Sequence, residues 1–448
     1  MGFWTLEPPL PYCGYEMSEH DEDHAGSRRG KKRHSAKPGM IQSSPVNVPA
    51  MVTDFTAEDY QERLYERYAE WQRATPVFRN QDGVVYLTRY EDCARLLSDG
   101  RFGRQADHGS ANPLVTTPQE AGALLSTIAN WMLFMDPPRH QIVRRAFTQA
   151  LSTREAGLPD SALRAMARQL IGEGGEAVDF LAGLAGCLPA LVICHLMGMP
   201  AADASDLGPW AFQLASALDS GEEEGMRAAA PAATAIRDYF SRFIVSDAAR
   251  GTGGFVRELV ESGAGPDLSE AEIIDGCVFL LVAGHETARN LIANSVLALA
   301  KNPAQMQLLR DQPGLLKSAI EELLRYTGPV QKLTRWTRED LTIGGYAIPR
   351  ATLVVGLIGA ANRDPACFTD PHQLDIRRSP NPHLAFGRGS HACIGRPLAL
   401  RETGIALDEL LRATGLIEVV EHRWSPNASM RSLASLTLLM QQPSGPDR

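Results

Sequence analysis

Apolar residues recur at helical spacing through most of the chain beyond residue 55. Tyr60, Leu64, Tyr68 and Trp71 share one face and predict a helix over 56–74. Segments 77–79 and 84–88 flank Asp82-Gly83, which predicts a hairpin, and a short helix follows over 90–98. Residues 101–130, rich in Gly, Ser, Thr, Pro and Ala with weak periodicity, predict a long mobile segment. The longest helix is expected over 270–301, opened by the capping box Ser269/Glu272 and stopped by Asn302-Pro303. About 32 residues at ~1.5 Å each span roughly 48 Å, enough to cross a whole molecule. Its centre, 276–283, is apolar on all sides and therefore buried on all sides. Further helices are predicted over 314–326 and after Pro397, the latter with Leu400, Gly404, Leu407 and Leu411 on one face and Gly415 as its stop.

Residues 1–50 lack this order. An acidic cluster at 19–23, a basic one at 28–33 and a Ser/Pro-rich stretch predict a disordered extension, with order beginning near Thr56. No repeat or composition shift divides the remainder, so 51–448 reads as one large domain, mainly α with small β-sheets. A net charge of −9 excludes a general nucleic-acid binder. Seven cysteines, scattered without CxxC or zinc-like spacing, read as reduced thiols of a cytoplasmic protein. The longest strongly apolar run, 277–283, is far short of the ~20 residues a bilayer requires, so no membrane partner is expected.

Chemistry concentrates in 383–399, HLAFGRGSHACIGRPLA. Gly387, Gly389 and Gly395 bracket Cys393, which suits a tight turn and close approach to something flat. Cys393 lies just before a helix N-terminus, where free amides and the dipole favour a thiolate. Such a loop can offer one axial sulfur ligand to haem iron. With Phe386, Gly387, Gly389, His391, Cys393, Gly395, Leu398 and Ala399 in place, the segment resembles the haem-binding signature of the cytochrome P450 family.

The resemblance covers roughly 55–442 and implies the mostly helical cytochrome P450 fold enclosing haem b. In the long helix, Ala283-Gly284-His285-Glu286-Thr287 is similar to the family's oxygen-binding segment. Thr287 can turn its hydroxyl to the Ala283 carbonyl and bend or open the helix there, leaving room beside Gly284 for dioxygen and water. The resemblance assigns Glu286 and Thr287 as the acid–alcohol pair of proton delivery. Arg289, two residues past Thr287, should face away from the haem and needs a carboxylate if buried. Glu322-Leu-Leu-Arg325 resembles the family's ExxR, completed by Arg378 as a structural network behind the thiolate loop. His140 and Arg144, one turn apart after Asp136-Pro137-Pro138-Arg139, match haem-propionate partners, as do Arg335 and His391.

What this implies is a bacterial-type monooxygenase, a monomer, using O2 and NAD(P)H-derived electrons to oxidise a small, largely apolar substrate by hydroxylation or epoxidation. Terpenoid, steroid, fatty acid and polyketide substrates, free or carrier-tethered, all fit. Substrate contacts are implied at 105–131, 205–235, 282–283, 330–333 and 432–436. The electron donor would be a ferredoxin with its reductase, docking on Arg388, Arg396 and Arg401. Two other readings are a peroxide-driven peroxygenase and a non-catalytic haem-binding recruitment domain; both should have given up the Glu286-Thr287 pair.

Overall fold

The computed structural model describes residues 46–55, 57, 59–105, 122–171, 177–220, 223–246, 254–261 and 267–442. The charged clusters at 19–23 and 28–33 lie outside the described residues, as do 106–121 of the segment expected to be mobile.

Helices dominate. They are α1 (Leu64–Ala74), α2 (Tyr90–Ser98), α3 (Gly122–Ala129), α4 (Arg139–Ala156), α5 (Asp160–Ile171), α6 (Gly186–Met197), α7 (Ala204–Ser220), α8 (Glu223–Val245) and α9 (Phe255–Glu261). Then come α10 (Glu270–Ala300), α11 (Pro303–Asp311), α12 (Leu316–Thr327), α13 (Ile358–Ala361) and α14 (Arg396–Ala413). Three small sheets accompany them. The first is ordered β1 (Val46–Asn47), β8 (Tyr346–Ile348), β7 (Leu341–Ile343). The second is β10 (Leu416–Trp424), β11 (Leu433–Gln441), β5 (Ala177–Asp179). The largest is β2 (Val77–Arg79), β3 (Val85–Leu87), β9 (Leu353–Leu357), β6 (Lys332–Thr337), β4 (Phe102–Gly103). The expected class, mainly α with small sheets, is what the chain forms.

The axle is α10. Its capping box forms as expected, the Ser269 hydroxyl accepting from the Glu272 amide while the Glu272 carboxylate accepts from the Ser269 amide. Burial is almost continuous from Ile274 to Leu299, because α6, α7, α8, α12 and α14 all pack on it. Gly276 is required by one such contact: a Cβ there would run into the Phe147 ring of α4.

Three boundaries differ from the sequence pattern. Among the described residues, hydrogen-bonded chain reaches back to Val46, within the stretch expected to be disordered. Val46 pairs in parallel with Tyr346, and the Met51 amide donates to the Arg79 carbonyl at 2.8 Å. A strand whose partner lies 300 residues later leaves no local signature. The weakly periodic 101–130 segment contains β4, paired to β6, and helix α3, which buries Leu124 and Ile128 in the main core. Finally, α14 ends through extended Thr414 (φ −124°) rather than a left-handed glycine. The Gly415 amide donates instead to the Gln441 carbonyl at 2.7 Å, so the chain runs straight into the β10–β11 hairpin.

One core group titrates. Glu402 on α14 is buried, its Oε1 meets no partner among the described residues, and burial pushes its carboxyl up to about 8. A carboxyl raised on folding contributes stability fully present below its unfolded pKa and lost as pH rises through the folded one. Glu402→Gln should therefore gain on the wild type by at most about 1.4 kcal/mol per pH unit between 4.5 and about 8. Parallel pH–Tm curves of the two proteins would refute a buried neutral carboxyl.

Candidate active site

The cysteine loop is locked before α14 begins. The Leu384 amide donates to Asn362 Oδ1 at 2.7 Å, Gly387 to the Leu384 carbonyl at 2.8 Å, and Cys393 to the Phe386 carbonyl at 2.9 Å. Gly387 and Gly389 have φ of +68° and +74°, and a Cβ on Gly389 would stand 2.6 Å from the Leu97 carbonyl of α2. Glu321 of α12 clamps the loop from outside, bonding His383 Nε2 at 2.6 Å and Arg396 at 2.9 Å, which holds its carboxyl down at about 2.

Cys393 itself is solvent-accessible, yet it is surrounded densely enough that burial raises its thiol. Both hold together where a side chain faces a hollow inside a protein. Amides of Gly395 and Arg396 and the Arg144 guanidinium pull the thiol down, but burial outweighs them. The free amides pull towards the thiolate, as expected, and burial opposes them; a bound metal's charge would displace the proton outright.

Basic side chains gather beside this sulfur. His140 and His391 stack with ring centroids 4.0 Å apart, and neither ring nitrogen of buried His140 has a partner among the described residues. Arg144 donates to the Ala392 carbonyl at 2.6 Å and Arg335 to the Thr334 carbonyl at 2.8 Å. Burial, with repulsion from His140 and the neighbouring arginines, pushes His391 down to about 2, and burial alone pushes Arg335 down to about 10 against the pull of Asp136. Among the described residues, none of the four bonds a carboxylate. The structure thus brings His140, Arg144, Arg335 and His391 around one region.

In α10, Thr287 Oγ1 donates to the Ala283 carbonyl at 2.6 Å, while the helix runs on unbroken. A Cβ on Gly284 would meet Ile193 of α6 at 3.1 Å, so α6 packs closely on the Cβ side of the glycine. His285 reaches the Gly186 carbonyl at 3.2 Å, and burial lowers it to about 4. Glu286 turns away from Thr287: its Oε1 accepts from Asn290 Nδ2 at 2.8 Å and lies 3.5 Å from Arg289 Nη1. Its Oε2 is buried with no partner among the described residues, and burial raises the carboxyl. Arg289 therefore finds its carboxylate on its own helix, and also donates to the Leu433 carbonyl at 3.4 Å. Asn290 was not read from the sequence, since an Asn four residues after an acid carries no signature.

Behind the loop, Glu322 sits at the hub of a cluster in which it and Arg325 are fully buried. Arg325 donates to it bidentately at 2.7 and 2.8 Å, Arg378 Nε at 3.1 Å to both oxygens, and the Asp375 amide at 3.0 Å. Arg325 also caps the carbonyls of Asn362, Pro371 and Gln373. Of the three arginines expected to form a docking patch, Arg396 is tied to Glu321 and Arg401 to Asp160.

A deep but open thiol, and basic groups lacking acids, fit a flat dianionic macrocycle whose metal takes one sulfur: haem with its two propionates. That defines a haem-thiolate protein. The family model described as cytochrome P450 matches residues 254–416. The chain is 35% identical to mycinamicin IV hydroxylase/epoxidase of Micromonospora griseorubida over 390 residues, covering 84% of this chain and 95% of the relative. It is 35% identical to the cytochrome P450 monooxygenase PikC of Streptomyces venezuelae, covering 89% and 95%. Among solved structures it resembles P450BioI in complex with hexadec-9Z-enoic acid ligated acyl carrier protein, with TM-score 0.79, 31% identity, and 86% of this chain and all of that one covered. The chain belongs to the cytochrome P450 family. It is an oxidoreductase of the oxygen-incorporating kind, and no helix among the described residues is long and apolar enough to cross a membrane.

Proposed function

We propose that this protein inserts one oxygen atom of O2 into a C–H or C=C bond of a small, largely apolar secondary metabolite, with electrons arriving from an external ferredoxin. The observation that carries the reading is the cradle: an accessible thiol deep in the protein beside basic side chains that no carboxylate satisfies. In it Cys393 would hold the haem iron, and His140, Arg144, Arg335 and His391 would hold its propionates. Bound there, haem supplies reductive activation of dioxygen, which no side chain can perform.

The chain's own contribution is proton supply in a dry site. Glu286 Oε2, buried and unpartnered, is where a proton resides, and burial keeps it there to higher pH than for an ordinary glutamate. Arg289 and Asn290 oppose that rise by favouring the charged form, so the group can both hold and release a proton. Thr287 receives no bond from Glu286; its hydroxyl hydrogen is engaged by the Ala283 carbonyl, leaving its lone pairs to accept from water or substrate. The two residues would therefore act as separate stations. Thr287→Ala should leave NADH consumption largely intact while oxygenated product falls about a hundred- to ten-thousandfold, the usual contribution of a positioned group in proton transfer. Full coupling in that variant would refute the proton role of Thr287.

The likeness to a P450 complexed with an acyl-bearing carrier protein favours a second reading, a carrier-tethered acyl substrate. Optical titration of the ferric protein separates the two. A low-to-high-spin shift with free macrolides or fatty acids supports the first, whereas a shift obtained only with acyl-loaded carrier protein supports the second.

A further inference from the structure

Glu321 on α12 immediately precedes the hub Glu322, yet it serves a different set of partners. Its two oxygens take opposite ends of the cysteine loop. His383 Nε2 donates to Oε2 at 2.6 Å, and Arg396 Nη2 donates to Oε1 at 2.9 Å. The histidine tautomer is set locally, because Nδ1 accepts from the Ala385 amide at 3.2 Å and leaves Nε2 to donate. Between these ends, the Phe386 ring lies 6.2 Å from the His383 ring and 5.4 Å from the Arg396 guanidinium carbon. Phe386 is also the residue whose carbonyl holds the Cys393 amide, at 2.9 Å.

The charges matter as much as the grip. Two guanidiniums, Arg144 and Arg396, act on the sulfur and favour its anion. Among the described residues Arg144 meets no carboxylate and donates to the neutral Ala392 carbonyl. Arg396 is opposed by Glu321, whose carboxyl its two partners hold down at about 2, so it carries a full negative charge. Opposite charges in contact cancel at longer range, and Arg396 with Glu321 therefore presents little net charge to the sulfur. A thiolate that its surroundings stabilise less gives more electron density to a metal.

We propose that Glu321 is a positioning residue for the sulfur ligand, one that cancels the charge of Arg396 and so sets how much electron density Cys393 gives to bound iron. This rests on haem being held at Cys393. Glu321 acts through Arg396 and not on the iron directly.

Redox titration of the holoprotein, with the C–O stretch of its ferrous–CO complex as a second readout, tests it. Glu321→Gln leaves Arg396 unopposed and should favour the ferrous form about tenfold, a positive shift of about 59 mV for a one-electron couple. The C–O stretch should rise with it, because a poorer donor sulfur passes less density to the carbon monoxide. Arg396→Gln removes the cation, keeps the carboxylate, and should move both readouts the other way. The double variant loses one charge of each sign and should return both close to the wild type. Mere loosening of the loop does not give that pattern, since each substitution would add to the disruption of the other. Single variants that shift in the same direction, or that leave both readouts unmoved, overturn the proposal. So does a double variant that departs further than either single. If Glu321→Gln does not fold, Arg396→Gln, altered at a half-exposed side chain, decides alone, and anything but a negative shift overturns the proposal. A wild-type ferrous–CO spectrum without thiolate character would instead sink the haem reading, and this proposal with it.

Discussion

Glu322→Ala is expected to yield little or no folded holoprotein. The substitution strands Arg325, which is completely buried, and deprives Arg378 of both its carboxylate contacts. Carbonyl partners on Asn362, Pro371 and Gln373 remain, but dipoles do not replace a full opposite charge. Removing one partner of a buried ion pair typically costs about 3–5 kcal/mol. Against a net stability of roughly 5–15 kcal/mol that is a large share of what a domain has. The loss should reach the cofactor as well, because the Asp375 amide and Asn381 Nδ2 bond the same carboxylate and Asn381 leads directly into the cysteine loop. Soluble yield and thermal unfolding measure it. Glu322→Gln, which keeps the shape without the charge, should lie between. An exposed pair such as Arg63–Glu66 serves as the control and should change stability by no more than about 1 kcal/mol. If Glu322→Ala melted as close to the wild type as that control does, the network would not be holding the core.

Cys393→Ser should remove the thiolate character of the ferrous–CO spectrum and drop oxygenation below detection while sparing the apoprotein. Serine can still accept from the Gly395 and Arg396 amides, and the loop is fixed by backbone bonds at Gly387 and Cys393 that the side chain does not make. Its oxygen, however, is a harder and far less electron-donating ligand than sulfur. An unchanged spectrum would require another sulfur to ligate. Cys93 and Cys277 are fully buried with thiols driven far above their usual range, and so are poor candidates.

How far the site was legible follows from how local each part is. Cys393 and its glycines share one turn, Thr287 and Ala283 one helical turn, Glu322 and Arg325 another, so fixed sequence spacing is also fixed geometry. The orientation of Glu286 was not legible. Adjacency to Thr287 suggested a pair, but successive helical residues point about 100° apart, and Asn290 one turn on is the nearer partner. Nor was the partner of Gly284 legible: Ile193 of α6 packs on its Cβ side, 91 residues away in the chain.

By itself the sequence determined the helical class, the long capped helix, the glycine-bracketed turn that carries Cys393 and the acid that anchors Arg325. These are properties of contiguous residues under fixed backbone periods. Tertiary structure alone decided that the chain joins the sheet at Val46, that Cys393 is raised by burial, that Arg289 answers Glu286, and that Glu321 grips both ends of the cysteine loop. Burial and charge density depend on which distant segments meet, and no local pattern encodes a histidine partner 62 residues away.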